Sequence, residues 1–338
     1  MAPVPLFVLA LLALALLAGL ALLLLLAVRA RRRRRAPERA PPPGRVPERW
    51  IAAHFQCAAG SRAYKLYLPS GLGSRKASLV VMLHGCTQGA DDFAAGTAMN
   101  RLADQDGFLV LYPEQSRRAN PNRCWNWYRP EHQARDHGEP AILVAMVREI
   151  VASHPVDPAR VFVAGVSAGG AMALVLAATY PDVFAAAGVH SGVAYGTGRS
   201  LLGGVLAMRG RGADPLRPID ALAAPARLVP IMVFHGQDDR VTRVANVHQI
   251  AEQWARLAAL SGEAALAEAV DRGRAPDGRG YTRSVWRRAS GRPLIETVVV
   301  DQLGHAWSGG DPSGTYTDPL GPQASAEMAR FFSQHARA

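Results

Sequence analysis

The sequence predicts an α/β fold, a mostly parallel sheet with helices on both faces. Three observations carry this reading. Short β-branched runs alternate with helical patterns along most of the chain. The runs LVVML at 79–83, FLVLY at 108–112 and VFVAG at 161–165 are almost continuously apolar, as strands buried on both faces are. The chain has 338 residues, 49% of them apolar and 19% charged, enough to fill a core without disulfide or metal staples.

The elements follow in order. Residues 64–68 and 79–83 read as strands. Residues 91–106 read as one helix, opened by Asp91 or Asp92 as N-cap. A strand at 108–112 comes next. Residues 140–153 read as a helix with Pro140 in its first turn, where a missing N–H costs nothing. The strand at 160–166 is followed by a helix at 170–179, which ends before Tyr180-Pro181. Residues 185–189 and 231–234 read as short buried strands, and 245–257 as a helix. Residues 281–300 form a hairpin across Ala289-Ser290-Gly291, and 323–335 form the last helix. Residues 194–228 lack periodicity and are rich in Gly, Pro and Arg. They read as an insertion or lid over the carboxyl edge of the sheet.

The N-terminal 49 residues are of a different character. Residues 6–28 form an apolar run broken only by Gly19, followed by Arg29 and Arg31 to Arg35. A run of this length can cross a bilayer. It reads as a transmembrane or signal-anchor segment at 1–28, with an Arg/Pro-rich linker at 29–49 and a catalytic domain at 50–338. A cleaved signal peptide is the competing reading, but no charged side chain precedes the run. A misassigned start is the third. The arginines would hold the domain in the cytoplasm, against the cysteine argument below. The whole chain carries a net charge of +11, and residues 1–49 contribute +7 of it. The domain is therefore only weakly basic, which argues against nucleic-acid binding.

The chemistry sits in Gly165-Val-Ser167-Ala-Gly169. This is G-x-S-x-G between a strand and a helix, the sharp turn that exposes a nucleophilic serine in an α/β-hydrolase fold. A serine needs a base, and the base needs an orienting acid. In this fold they follow in the order serine, acid, histidine. After the strand at 231–234 comes His235-Gly-Gln-Asp238-Asp239, which makes Asp239 the acid, with Asp238 as the alternative. After the strand ending at 300 comes Gly304-His305, which makes His305 the base. His190 precedes the acid, His235 adjoins it, and His248 and His335 lie on helical stretches. An oxyanion needs two backbone N–H donors. Ala168 follows the nucleophile, and Cys86 lies in the turn after LVVML, where His84 shapes the turn. No cysteine or histidine cluster has metal-ligand spacing, and the chemistry requires no cofactor. Trp125, Trp127 and Trp307 are candidates to wall an apolar pocket.

Cys86 and Cys124 are 38 residues apart, and Cys57 is left over. The first two either pair, bracing the oxyanion turn, or stay as buried thiols. A disulfide implies an oxidising compartment, and so an extracytoplasmic location, secreted or membrane-anchored.

These motifs, taken with Arg-x-Tyr-Lys-Leu-Tyr at 62–67, Leu-His-Gly-Cys-Thr-Gln at 83–88, Tyr-Pro-Glu-Gln-Ser at 112–116, Cys-Trp-Asn-Trp-Tyr at 124–128, Gly-His-Ala-Trp-Ser-Gly-Gly at 304–310 and Tyr-Thr-Asp-Pro at 316–319, resemble the esterase family of polyhydroxybutyrate depolymerases. The resemblance covers about residues 60–336. It implies the same triad, the Cys86 oxyanion position and, in many members, the cysteine pair. It implies a serine esterase acting on poly- or oligo-(3-hydroxyalkanoate) esters. Polymer depolymerases of this group usually append a polymer-binding domain, and this chain stops soon after its last helix. Acetylxylan-type and feruloyl-type esterases share the fold, so a carbohydrate ester is the rival substrate. A membrane-tethered, inactive binding module is the rival of a different class. The expected partners are an ester substrate and, through the N-terminal segment, a membrane.

Overall fold

The computed structural model describes residues 49–72, 75–222, 227–276 and 278–337. The reading of residues 1–28 as a membrane segment, and that of the linker except for Arg49, fall outside them. Among the described residues no helix is long and apolar enough to cross a membrane.

Ten strands form one sheet in the order β1-β2-β4-β3-β5-β6-β7-β10-β9-β8. These are β1 (Trp50–Cys57), β2 (Gly60–Tyr67), β3 (Ala77–Leu83), β4 (Leu109–Pro113), β5 (Val156–Val166), β6 (Ala186–His190), β7 (Ile231–Gly236), β8 (Ala267–Arg274), β9 (Gly280–Arg287) and β10 (Pro293–Val300). The six central strands, β4 through β10, are parallel. An antiparallel hairpin closes each edge, β1–β2 on one side and β8–β9 on the other.

The apolar runs divide by residue parity. Leu79, Val81 and Leu83 enter one core and Val80 and Met82 the other, because successive strand side chains point to opposite faces. The first core is covered by α3 (Gly138–Ser153), α4 (Ala168–Thr179) and α7 (Ala245–Leu260). The second is covered by α1 (Ala90–Thr97), α2 (Met99–Asp106) and α8 (Ala324–Ser333).

Three sequence expectations change. Residues 91–106 are two helices, broken at Ala98, which is left-handed with φ 51°. The carbonyls of Gly96 and Thr97 would accept the next helical N–H groups. They accept Asp311 N–H at 2.8 Å and Ser325 Oγ–H at 2.7 Å instead, so a distant segment ends the helix. The insertion at 194–228 contains two short helices, α5 (Leu201–Met208), capped by the Ser200 hydroxyl, and α6 (Leu216–Asp220). The edge strands β1 and β8 appear where no strand was expected. Most of their side chains are exposed or half-buried, so neither carries an apolar pattern. Beyond β10, a two-residue pair joins β11 (Trp307–Ser308) to β12 (Thr317–Asp318).

Candidate active site

The carboxyl ends of the parallel strands carry the site. Ser167 follows β5, between β3 and β6. Its backbone has φ 56° and ψ −120°, a conformation that L residues rarely adopt. Ser167 N–H donates to His190 O at 2.8 Å, and Ser167 O accepts from Ala171 N–H at 2.9 Å. The turn is tight enough to demand both flanking glycines. A Cβ on Gly165 would sit 2.5 Å from Gly169 backbone atoms, and one on Gly169 would sit 2.0 Å from Leu83 O.

Asp239 follows β7 and His305 follows β10. His305 Nδ1–H donates to Asp239 Oδ2 at 2.7 Å. The other carboxylate oxygen, Oδ1, accepts the N–H groups of Val241 and Thr242 at 2.8 and 2.9 Å. Thr242 Oγ1 lies 3.0 Å from Asp239 Oδ2, 3.0 Å from Ser191 O and 3.3 Å from His305 Nδ1. Burial pushes the Asp239 carboxyl up. The hydrogen bond and charge of His305, the His235 ring and the Val241 N–H outweigh it and hold the group down at about 2. Asp238 is exposed and takes no part in this cluster.

Ser167 and His305 both line a cavity of about 200 Å³, whose other walls include Cys86, Thr87, Met208, Val241 and Tyr316. Ala168 is the first residue of α4, and its N–H belongs to the first turn, which has no intrahelical partner. Cys86 is disulfide-bonded to Cys124. Next to it, Thr87 N–H donates to Asn122 O at 2.7 Å, so the turn is fastened twice to the same segment. Gln88 completes the turn. Its Oε1 accepts Gly85 N–H at 2.9 Å, and its Nε2 donates to Asp92 Oδ2 and Thr315 O, each at 3.1 Å. Asp92 in turn accepts the N–H and hydroxyl of Thr315.

The other nearby histidines are structural. Gln115 N–H donates to His84 Nε2 at 3.0 Å, and His84 Nδ1 faces Gly85 O at 2.7 Å. Burial brings that ring down to about 4. His190 stacks between Phe234 and Trp307. Burial, aided by the charges of His235 and His305, brings it down to about 3. His235 donates from Nε2 to Thr242 O at 2.8 Å, and burial lowers it too.

The three tryptophans do not wall the cavity. Trp125 is fully buried and donates to His84 O at 3.1 Å. Trp127 is buried edge-to-face against Tyr128 and beneath Gly198. Trp307 packs on Phe93 and His190 and donates to Ser325 Oγ at 3.1 Å. Their size and indole N–H suit the core. The cavity walls come instead from Met208, Val241 and Tyr316, which sequence reasoning missed. Tyr316 sits in a motif whose role was unreadable. Its residue has φ 54° and is half-exposed at the mouth.

A buried carboxylate joins three other motifs. Glu139 pairs with Arg62 at 3.2 Å, and accepts from Gln115 Nε2 and from the N–H and Nδ2 of Asn126. It anchors the segment that carries Cys124. A larger depression, about 550 Å³, opens near Ser78, Arg160 and Phe332, away from Ser167. Among the described residues, no group of three or more His, Cys, Asp or Glu side chains could hold a metal ion.

Comparison with known proteins gives the family and the fold. Poly(3-hydroxyalkanoate) depolymerase C of Paucimonas lemoignei is 33% identical over 276 residues, covering 79% of this chain and 62% of that protein. Feruloyl esterase B of Neurospora crassa is 39% identical over 130 residues, covering 38% of this chain and 43% of that protein. The chain thus spans less than two thirds of either relative. The solved acetyl xylan esterase from Aspergillus awamori has a TM-score of 0.59 at 21% identity, over 81% of this chain and 94% of that one. An S-formylglutathione hydrolase from Agrobacterium tumefaciens has a TM-score of 0.55 at 14% identity, over 84% and 94%. Both share the α/β-hydrolase fold. The model of the family described as Esterase PHB depolymerase matches residues 62–275, and the chain belongs to that family.

Proposed function

We propose that this chain is a serine carboxylic-ester hydrolase working through an acyl-enzyme, with residues 50–338 as its catalytic domain. The observation that carries the reading is one cavity lined by both Ser167, on its strained turn, and His305, bonded to the Asp239 carboxylate. His305 takes the Ser167 proton as the hydroxyl attacks the ester carbonyl. Asp239 keeps the ring oriented and balances the imidazolium. The N–H groups of Cys86 and Ala168 face the oxyanion. The alcohol leaves with the proton from His305, and water activated by the same ring then releases the acid.

The substrate we propose is an oligo- or poly-(3-hydroxyalkanoate) ester. A cavity of about 200 Å³ bounded by Met208, Val241 and Tyr316 accepts a short, largely apolar acyl unit. The similarity to a feruloyl esterase favours a carbohydrate ester as the second reading. An inactive binding module would have no need of a strained serine, a bonded acid–histidine pair and a shared cavity. The disulfide supports an extracytoplasmic location. The apolar run at 6–28 supports delivery to, or retention at, a membrane.

The test is hydrolysis of p-nitrophenyl butyrate, hydroxybutyrate oligomers, acetylated xylan and feruloyl esters by the wild type and Ser167→Ala. The variant loses roughly three or more orders of magnitude in kcat on every ester cleaved. Equal rates for the two proteins would overturn the assignment. Preference for hydroxybutyrate oligomers over sugar esters selects the first substrate reading, and the reverse selects the second.

A further inference from the structure

Helix α5 breaks the burial pattern of the fold. Leu201 and Leu202 are 69% and 70% exposed, and Val205 and Leu206 are 40% and 39% exposed. Among the described residues ten large apolar side chains are exposed, and these four share one helix. Val241 and Tyr316, two more of the ten, line the cavity. The helix ends on Met208, a third cavity wall. An apolar surface therefore runs from α5 to the mouth of the site. Contiguous apolar exposure of this kind marks a docking surface.

Charge says what docks. Arg199 precedes α5, and Arg209 and Arg211 follow it. Arg243 N–H donates to Met208 O at 2.7 Å, which brings the loop carrying Arg240 and Arg243 against the end of the helix. All five arginines are exposed, and among the described residues none forms a side-chain ion pair. Asp214 and Asp238 are the exposed acids nearest in sequence, and Asp214 accepts Leu216 N–H at 2.9 Å. A second copy would bring one ring of arginines against another. A neutral polyester surface would leave all five without counter-charge. A bilayer containing anionic lipid satisfies both halves, taking the leucines into its acyl boundary and the guanidinium groups among its headgroups.

We infer that the apolar face of α5 and its bracketing arginines seat the cavity mouth on an anionic lipid surface. The seat holds whichever ester is cleaved, and it is distinct from the N-terminal apolar run.

The test is amide hydrogen exchange on the full-length protein, alone and with phosphatidylcholine vesicles with or without phosphatidylglycerol. It reads where protection falls, so a contribution of the N-terminal segment to vesicle binding does not confound it. Exchange across residues 201–211 is expected to slow only with the anionic vesicles, and to recover when salt is raised. The double variant Leu201→Asp/Leu202→Asp is expected to lose this protection while hydrolysing a soluble ester as the wild type does. Unchanged exchange with anionic vesicles would overturn the proposal, as would equal protection by phosphatidylcholine alone. Protection produced only by polyhydroxybutyrate particles, or only by raising protein concentration, would assign the face to polymer or to a second copy instead.

Discussion

The carbonyl oxygen of Leu83 lies 2.0 Å from the point that a Cβ on Gly169 would occupy. Strand β3 and the first turn of α4 are therefore in backbone contact beside Ser167. Neither partner is a side chain that could rotate away. Gly169→Ala is expected to abolish activity and to cost more than about 3 kcal/mol, or to prevent folding. Gly304, beside His305, has nothing within 4 Å of its Cβ position. Gly304→Ala should keep its unfolding free energy within about 0.5 kcal/mol of the wild type. Urea unfolding of the two variants checks the contrast.

Asp239 gives the stability of the protein a defined dependence on pH. Its carboxyl is held down at about 2. A carboxyl depressed on folding stabilises the native state above its ordinary value, near 4, and that contribution disappears as pH falls through the native value. Roughly 2 kcal/mol should be present at about pH 5 and lost by about pH 2. Unfolding free energies of the wild type and Asp239→Asn, measured across that window, should converge by that amount at the acid end.

Thr242 is a positioning residue for the pair. Its hydroxyl, 3.0 Å from Asp239 Oδ2 and 3.3 Å from His305 Nδ1, meets the carboxylate oxygen that the backbone donors do not. Thr242→Val keeps the shape and removes that bond. It should lower kcat by about tenfold with KM unchanged, and Thr242→Ser should restore it. Steady-state kinetics with p-nitrophenyl butyrate separates the two effects.

The Cys86–Cys124 bond closes a loop of 38 residues. Its removal by Cys86→Ser/Cys124→Ser should cost roughly 3–4 kcal/mol on the chain-entropy account. Because Cys86 lines the cavity, activity should fall below the melting transition as well. Calorimetry of the double variant, with an activity assay well below its Tm, tests both.

Legibility in the sequence followed the range of the forces involved. The central strands are legible as local apolar runs, and the candidate residues Ser167, Asp239 and His305 as turns at strand ends, which is where the structure places them. Trp307 was misplaced because the same indole suits a pocket wall or a core, and only Phe93 and His190 decide which. The break at Ala98 was invisible because its cause lies at Asp311 and Ser325. The Glu139 cluster went unread for the same reason. Its partners Arg62, Gln115 and Asn126 each look like an isolated polar residue until the fold brings them together.

The bond from Gln88 to Thr315 spans 227 residues and orders events in time. A ribosome has released Ser167, Asp239 and His305 before residue 311 emerges. At that moment the Gly85–Cys86 turn has its bonds to Cys124 and Asn122 but not the Thr315 brace on Gln88 and Asp92. The segment around Thr315 thus makes a late, long-range contribution to that turn. A protein shortened before residue 311 would lose this brace on the 85–88 turn together with α8, whose Met328, Phe331 and Phe332 fill the second core.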